Sequence, residues 1–163
     1  MRELVIVRYG EIGVKGPATR RLMERLLVSA LKEALERHGV RGVVERSEAR
    51  VYIWDPSDVQ RALYASSRVF GVKSVSPAHH ITFSDLNDLV SKARDHFAER
   101  VKGKKFKVEA RRVGSHDFTS MDVERALGAT LLEAGASRVD LKSPEYVAYV
   151  EIRGRNAFFT IES

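Results

Sequence analysis

The sequence predicts an α+β protein built from two small domains, and three observations carry that reading. Short apolar runs rich in β-branched residues alternate with longer segments of helical periodicity. The element order divides near Ser76-Pro77, with β-α-β-β-α-β before it and α-β-α-β-β after it. A chain of 163 residues, 44% hydrophobic and 31% charged, suits one ordinary domain or two small ones with a core that needs no covalent staples.

Each element has a local cause. Leu4 to Val7 is a buried-strand run, and RYGEIGVKGP after it places Gly10, Gly13 and Gly16 in a loop. Pro17 suits the first turn of a helix, where its missing N–H costs nothing. Leu22, Leu26, Ala30, Leu31, Ala34 and Leu35 give that helix its expected apolar face, with Arg20–Glu24 pairing on the wet side and Gly39 as the stop. Val43-Val44 and Val51 to Trp54 flank the turn SEAR. Pro56, Ser57 and Asp58 open a second helix with Val59, Ala62 and Leu63 inward, and Val69 to Val75 returns as a strand. This order over residues 1–76 is the ferredoxin-like pattern.

In residues 77–163, Thr82 or Ser84 is expected to cap a helix carrying Leu86, Leu89, Val90, Ala93 and Phe97. KKFKVEARRV alternates Phe106, Val108 and Ala110 with charged residues, so one strand face is apolar and the other charged. A helix begins at Ser120 with Val123, Leu127, Thr130 and Leu131 on one face. Tyr146 to Ile152 and Ala157 to Ile161 form a hairpin about RGRN.

Composition narrows the chemistry. With no cysteine there is no disulfide framework, thiolate nucleophile or Cys-based zinc site in these residues. No run free of charged residues approaches the ~18 of a membrane span, and charge comes too early for a signal peptide. A cytoplasmic location is the expectation. The net charge is +6, unevenly placed: residues 1–76 hold 14 basic and 9 acidic side chains (14 − 9 = +5), residues 77–163 hold 14 and 13 (14 − 13 = +1). Such a balance suits a polyanionic partner and equally a solvated surface.

Two segments concentrate the charge. The glycine loop feeding the helix at Pro17 brings Arg8, Lys15, Arg20 and Arg21 near a helix N-terminus. That arrangement suits an anion, although a strand-to-helix turn alone accounts for the glycines. From Lys102 to Arg112 six cations stand against one acid, Glu109. Alternation puts Lys105, Lys107 and Arg111 on one strand face, where two residues of strand span ~6.6 Å, comparable with phosphates along one nucleic-acid strand. Lys104 and Arg112 flank them. His116 follows in the loop, and Phe118 either stacks a base or closes the core. Ser115-His116-Asp117 has triad residue types, but sequence neighbours do not converge, and His79-His80 lacks further metal ligands. No catalytic residue, metal site or cofactor is assigned.

RYGEIGVKG and FKVEARRVGSHDFTSMDVERALG together resemble the N-terminal half of the tRNA 4-thiouridine synthetases, the tRNA sulfurtransferase family linked to thiamine biosynthesis. The resemblance implies a ferredoxin-like domain over 1–76 and an α/β THUMP domain over 77–163. It implies binding of the tRNA acceptor stem and 3′ end; charge and position then make Arg8, Lys15, Arg20, Arg21, Lys104, Lys105, Lys107, Arg111, Arg112, His116 and Phe118 the expected RNA-binding residues, of which Lys15, Arg111, Arg112, His116 and Phe118 fall within the matching motifs. The family continues into a PP-loop domain with an SGGxDS-type motif. These residues stop before it and contain neither that motif nor a cysteine. The expectation is a tRNA-presenting module served by a separate PP-loop ATPase/sulfurtransferase subunit. Alternatives are an adapter for tRNA acetylation, methylation or pseudouridylation, a small RNA-modifying enzyme in itself, or a plain interaction module.

Overall fold

The structure is a computed structural model that describes residues 1–10 and 16–160. Two compact units divide the chain. Arg2–Ala78 form one; His79–Ser163, with Met1, form the other. Ser76 and Pro77, the expected boundary, lie inside a strand.

The N-terminal unit runs β1 (Arg2–Tyr9), α1 (Pro17–Arg37), β2 (Val43–Ser47), β3 (Arg50–Trp54), α2 (Val59–Ser67) and into β4 (Val72–Thr82). Its strands lie in the order β2-β3-β1-β4, with β3 antiparallel to both β1 and β2. This is the ferredoxin-like order. Val5, Val7, Val51 and Ile53 pack against Leu27, Leu31 and Leu35 of α1 and Ala62 and Ala65 of α2. Asp58 caps α2 by accepting from the Arg61 N–H at 3.0 Å, so the helix starts as its sequence demands.

The phase of α1 differs from the expected one. Leu22 and Leu26 are 50% and 61% exposed, while Glu24, Leu27, Leu31, Ala34 and Leu35 are buried. Leu26 and Leu27 are neighbours, so either stripe could have faced inward. The stripe that met Val5 and Val7 is the one closed by Leu27 and Leu31. Glu24 therefore leaves the wet face and lies beneath the surface.

The second unit runs from the end of β4 through α3 (Leu86–Val101), β5 (Lys105–Val113), α4 (Ser120–Glu133), β6 (Arg138–Val139), β7 (Tyr146–Arg153) and β8 (Asn156–Thr160). β8-β7-β5-β6 are neighbours in that order; β5 is parallel to β7 and β6, and β7 is antiparallel to β8. Phe106, Val108 and Ala110 of β5, with Ala148, Val150 and Ile152 of β7, pack against Leu89, Ala93 and Phe97 of α3 and Val123, Leu127 and Leu131 of α4. The cap of α3 is Asp85, which accepts from the Asp88 N–H at 2.8 Å, rather than Thr82 or Ser84. A carboxylate one residue from the helix outcompetes the earlier hydroxyls. β6 is only two residues long and exists through its pairing with β5. No helix among the described residues is long and apolar enough to cross a membrane.

One buried group in this core sets a pH dependence. His96 of α3 is 8% exposed, its ring 4.6 Å from Phe97, 5.3 Å from Phe159 and 4.8 Å from His79. Burial, with smaller contributions from the Arg100 and His79 charges, lowers its pKa from 6.5 to about 3. The folded chain keeps His96 neutral where the unfolded chain protonates it. Stability is full above the unfolded pKa and falls as pH drops below it. Urea melts are expected to lose about 1–2 kcal/mol between about pH 8 and pH 5 from this group. His96→Leu should flatten that slope; an unchanged slope would place the acid sensitivity elsewhere.

Candidate nucleic-acid interface

The β5 strand builds the candidate surface. Its apolar side is held down by α3 and α4, so period-two alternation forces the odd-numbered side chains to the other side. Lys105, Lys107, Glu109 and Arg111 share that side. Arg111 is exposed, and among the described residues its guanidinium has no partner. Lys107 Nζ stands 3.7 Å from Glu109, a weak pair in solvent. Across the parallel ladder, Val147, Tyr149 and Glu151 of β7 lie beside Lys107, Glu109 and Arg111. Glu151 is paired with Arg153 at 2.7 Å, so it does not neutralise Arg111 alone. The face keeps a cationic surplus along β5.

Lys104 and Arg112 fall outside this row. Lys104 precedes the strand, and its ammonium sits 5.9 Å from the Tyr146 ring centroid. Arg112 Nη1 donates to the Gly114 carbonyl at 2.9 Å and to His116 Nδ1 at 3.1 Å. His116 Nε2 donates to the Gly154 carbonyl at 2.8 Å. An acceptor Nδ1 and a donor Nε2 assign the neutral Nε2–H tautomer. Arg112 and His116 thus tie the loop after β5 to the β7–β8 turn. Gly114 and Gly154, at φ +105° and +58°, provide the backbone turns this requires.

Phe118 stands inside the second core, 7% exposed, its ring 6.2 Å from Phe83 and 5.1 Å from His116. It packs within the core, and what is left uncovered borders the neighbouring cleft. That cleft, of about 330 Å³, has Phe83, Phe118, Asp85, His116, Asp117 and Arg155 among its lining residues. Arg155 Nη1 donates to the Ser84 carbonyl at 2.6 Å, which fixes the cleft wall.

On the N-terminal unit the expected cations are distributed differently. Arg8 donates to Ser76 Oγ at 2.8 Å. Arg21 is exposed on α1. Gly16 is the N-cap of α1 without a side-chain cap, and no acid lies in the first turn. Lys15 and Glu11 lie outside the described residues. Arg20 is engaged by Glu24, which sequence reasoning placed on the surface. Glu24 Oε2 accepts from Arg46 Nη1 at 2.9 Å and from the Tyr9 hydroxyl at 3.1 Å, and Oε1 lies 3.5 Å from Arg20 Nε. Burial and then the bond to Glu24 raise the Tyr9 pKa to about 12, so its hydroxyl remains a donor. The Arg20–Glu24 pair was legible as an i,i+4 spacing, whereas the meeting of Glu24 with Arg46 spans 22 residues and carried no local signal.

The fold and this charged strand define a class: a ferredoxin-like domain joined to a THUMP domain. The ThiI ferredoxin-like domain family matches residues 4–76, and the THUMP domain family matches residues 83–162. The chain belongs to the proteins that join these two domains. It is 56% identical over 158 residues to the probable tRNA sulfurtransferase of Aeropyrum pernix, covering 96% of this chain and 40% of that relative. The chain therefore spans about 40% of that curated relative's length. The crystal structure of PH1313 from Pyrococcus horikoshii Ot3 superposes with a TM-score of 0.80 at 31% identity, over 99% of this chain and 54% of that one. A 4-thiouridine synthetase–RNA complex with bound ATP superposes at 0.75 and 23% identity, over 98% of this chain and 41% of that one, a likeness of fold.

Proposed function

We propose that this chain binds tRNA at its acceptor stem and 3′ end and presents it for 4-thiouridine formation by a PP-loop sulfurtransferase component. In this reading that component is a separate subunit. The observation that carries it is the row of Lys105, Lys107 and Arg111 on one face of β5, within a THUMP domain whose relatives are named tRNA sulfurtransferases. A-form RNA offers a deep major groove that side chains do not read, so recognition goes through shape, phosphates and 2′-hydroxyls. A strand of spaced cations suits phosphates and carries no base code. In this reading the cleft beside His116 and Arg155 is where an unpaired nucleotide of the 3′ end would lie. Arg112 and His116 hold the loop that shapes this cleft, so their part is to position it. Lys104, Arg8 and Arg21 extend the positive charge of their own units.

Filter binding of tRNA at several salt concentrations tests the reading. If about four phosphates are neutralised, log K should fall against log[salt] with a slope of about −3 to −4. Absence of binding at low salt, or binding indifferent to salt, ends this proposal. The partner is tested by adding a PP-loop sulfurtransferase to the same tRNA with and without this chain and measuring thiouridine by nucleoside mass spectrometry. No gain in thiouridine would remove the partner from the reading.

A further inference from the structure

We propose that Arg20 and Arg46, clasped by the buried carboxylate of Glu24, form a phosphate-binding arginine pair on the ferredoxin-like unit. The inference rests on the RNA-binding reading above and adds a second contact point for the same RNA backbone.

Glu24 is 3% exposed, so its charge must be compensated where it lies. One guanidinium and the Tyr9 hydroxyl would achieve this: Arg46 at 2.9 Å and Tyr9 at 3.1 Å both reach Oε2. A second guanidinium stands at Oε1, with Arg20 Nε at 3.5 Å. Two positive charges on one negative leave the cluster at +1. The two arginines come from different elements, Arg20 from the start of α1 and Arg46 from the edge strand β2, and meet at the two oxygens of one carboxylate.

Both arginines remain about half exposed, at 49% and 47%. Each turns one nitrogen toward Glu24, and among the described residues neither has another partner. A guanidinium carries five N–H donors in a rigid fork, and that fork matches phosphate oxygens two at a time. The remaining donors, without a partner among the described residues, belong to half-exposed side chains whose rotamers Glu24 already restrains, which lowers the ordering cost of binding an anion. A phosphodiester, singly charged and rich in acceptor oxygens, is the ligand that matches a +1 cluster with unused donors.

The test is tRNA binding by the full chain across a salt series, with circular dichroism confirming the fold. Arg46→Ala is expected to weaken binding about tenfold and to reduce the steepness of the salt slope by about 1. Arg46→Lys, which keeps the charge without the fork, should restore the slope and only part of the affinity. If Arg46→Ala does not fold, Arg20→Ala, at the more distant oxygen, is read in the same way. A folded Arg46→Ala chain with the original affinity and slope, while Lys107→Ala/Arg111→Ala flattens it, reduces the cluster to an internal ion pair and overturns the inference. If the unaltered chain binds no tRNA, the RNA-binding reading itself fails and this inference with it.

Discussion

Replacing Lys107 and Arg111 together by alanine is expected to lower tRNA affinity by about 100-fold at moderate salt, with the fold intact. A charge-assisted hydrogen bond contributes about 1.5–3 kcal/mol, and about 1.4 kcal/mol is tenfold in affinity, so two lost contacts give at least this much. The steepness of log K against log[salt] should fall by about 2, one unit for each lost cation. The loss should be the same for every tRNA tried, because phosphate contacts position the molecule and carry no sequence information. The fold should survive because both side chains stand on the side of β5 away from α3 and α4. Lys107 gives up only a 3.7 Å pairing with Glu109, and Arg111 gives up no described partner. Arg112→Ala would behave differently. Its guanidinium anchors Gly114 and His116, so its removal loosens the loop as well as the charge. Filter binding with circular dichroism separates these outcomes. Unchanged affinity in the folded double variant would move the site off this strand.

The features that were legible in the sequence are those with a short period and one decisive neighbour. β5 alternates Phe106, Val108 and Ala110 with Lys105, Lys107, Glu109 and Arg111, and a sheet covered on one side by helices admits only one way of placing that alternation. The βαββαβ order was legible for the same reason: each helix start and glycine stop is a local signal. What escaped reading depends on partners distant along the chain. In α1 the apolar residues form two adjacent stripes, and only contact with Val5 and Val7 selects Leu27 over Leu26. Glu24 looks like any helix-surface acid until Tyr9 and Arg46 arrive from strands 15 residues before it and 22 after it. Arg112 counted as a phosphate ligand by its charge, whereas its bonds to Gly114 and His116 need the turn at Gly154 to be in place. β6, at two residues, is too short to carry a period and is a strand through the pairing of Phe106 with Val139.

Phe118 offers the sharpest separation between a packing role and a binding role. Truncation to alanine is expected to destabilise the chain by about 3–5 kcal/mol, the usual cost of emptying a buried phenylalanine site. The ring is 7% exposed beside Phe83, within the cluster that also holds Phe97, Phe106 and Phe159, so its removal leaves a cavity that the surrounding aromatics cannot collapse into fully. Phe118→Leu keeps most of the volume and should cost less than about 1.5 kcal/mol. That variant decides the role. A base stacked on an aromatic ring contributes about 1–3 kcal/mol, so a stacking Phe118 would lose roughly tenfold or more in RNA affinity as leucine. A core Phe118 would lose almost none. Urea denaturation of both variants, with tRNA binding of the leucine variant, is expected to show the large stability loss in alanine and near-native affinity in leucine. A leucine variant that is stable but weak in binding would mean that the ring leaves the core to meet RNA. The His116 ring, 5.1 Å away, would then have to move with it and break its bonds to Arg112 and Gly154.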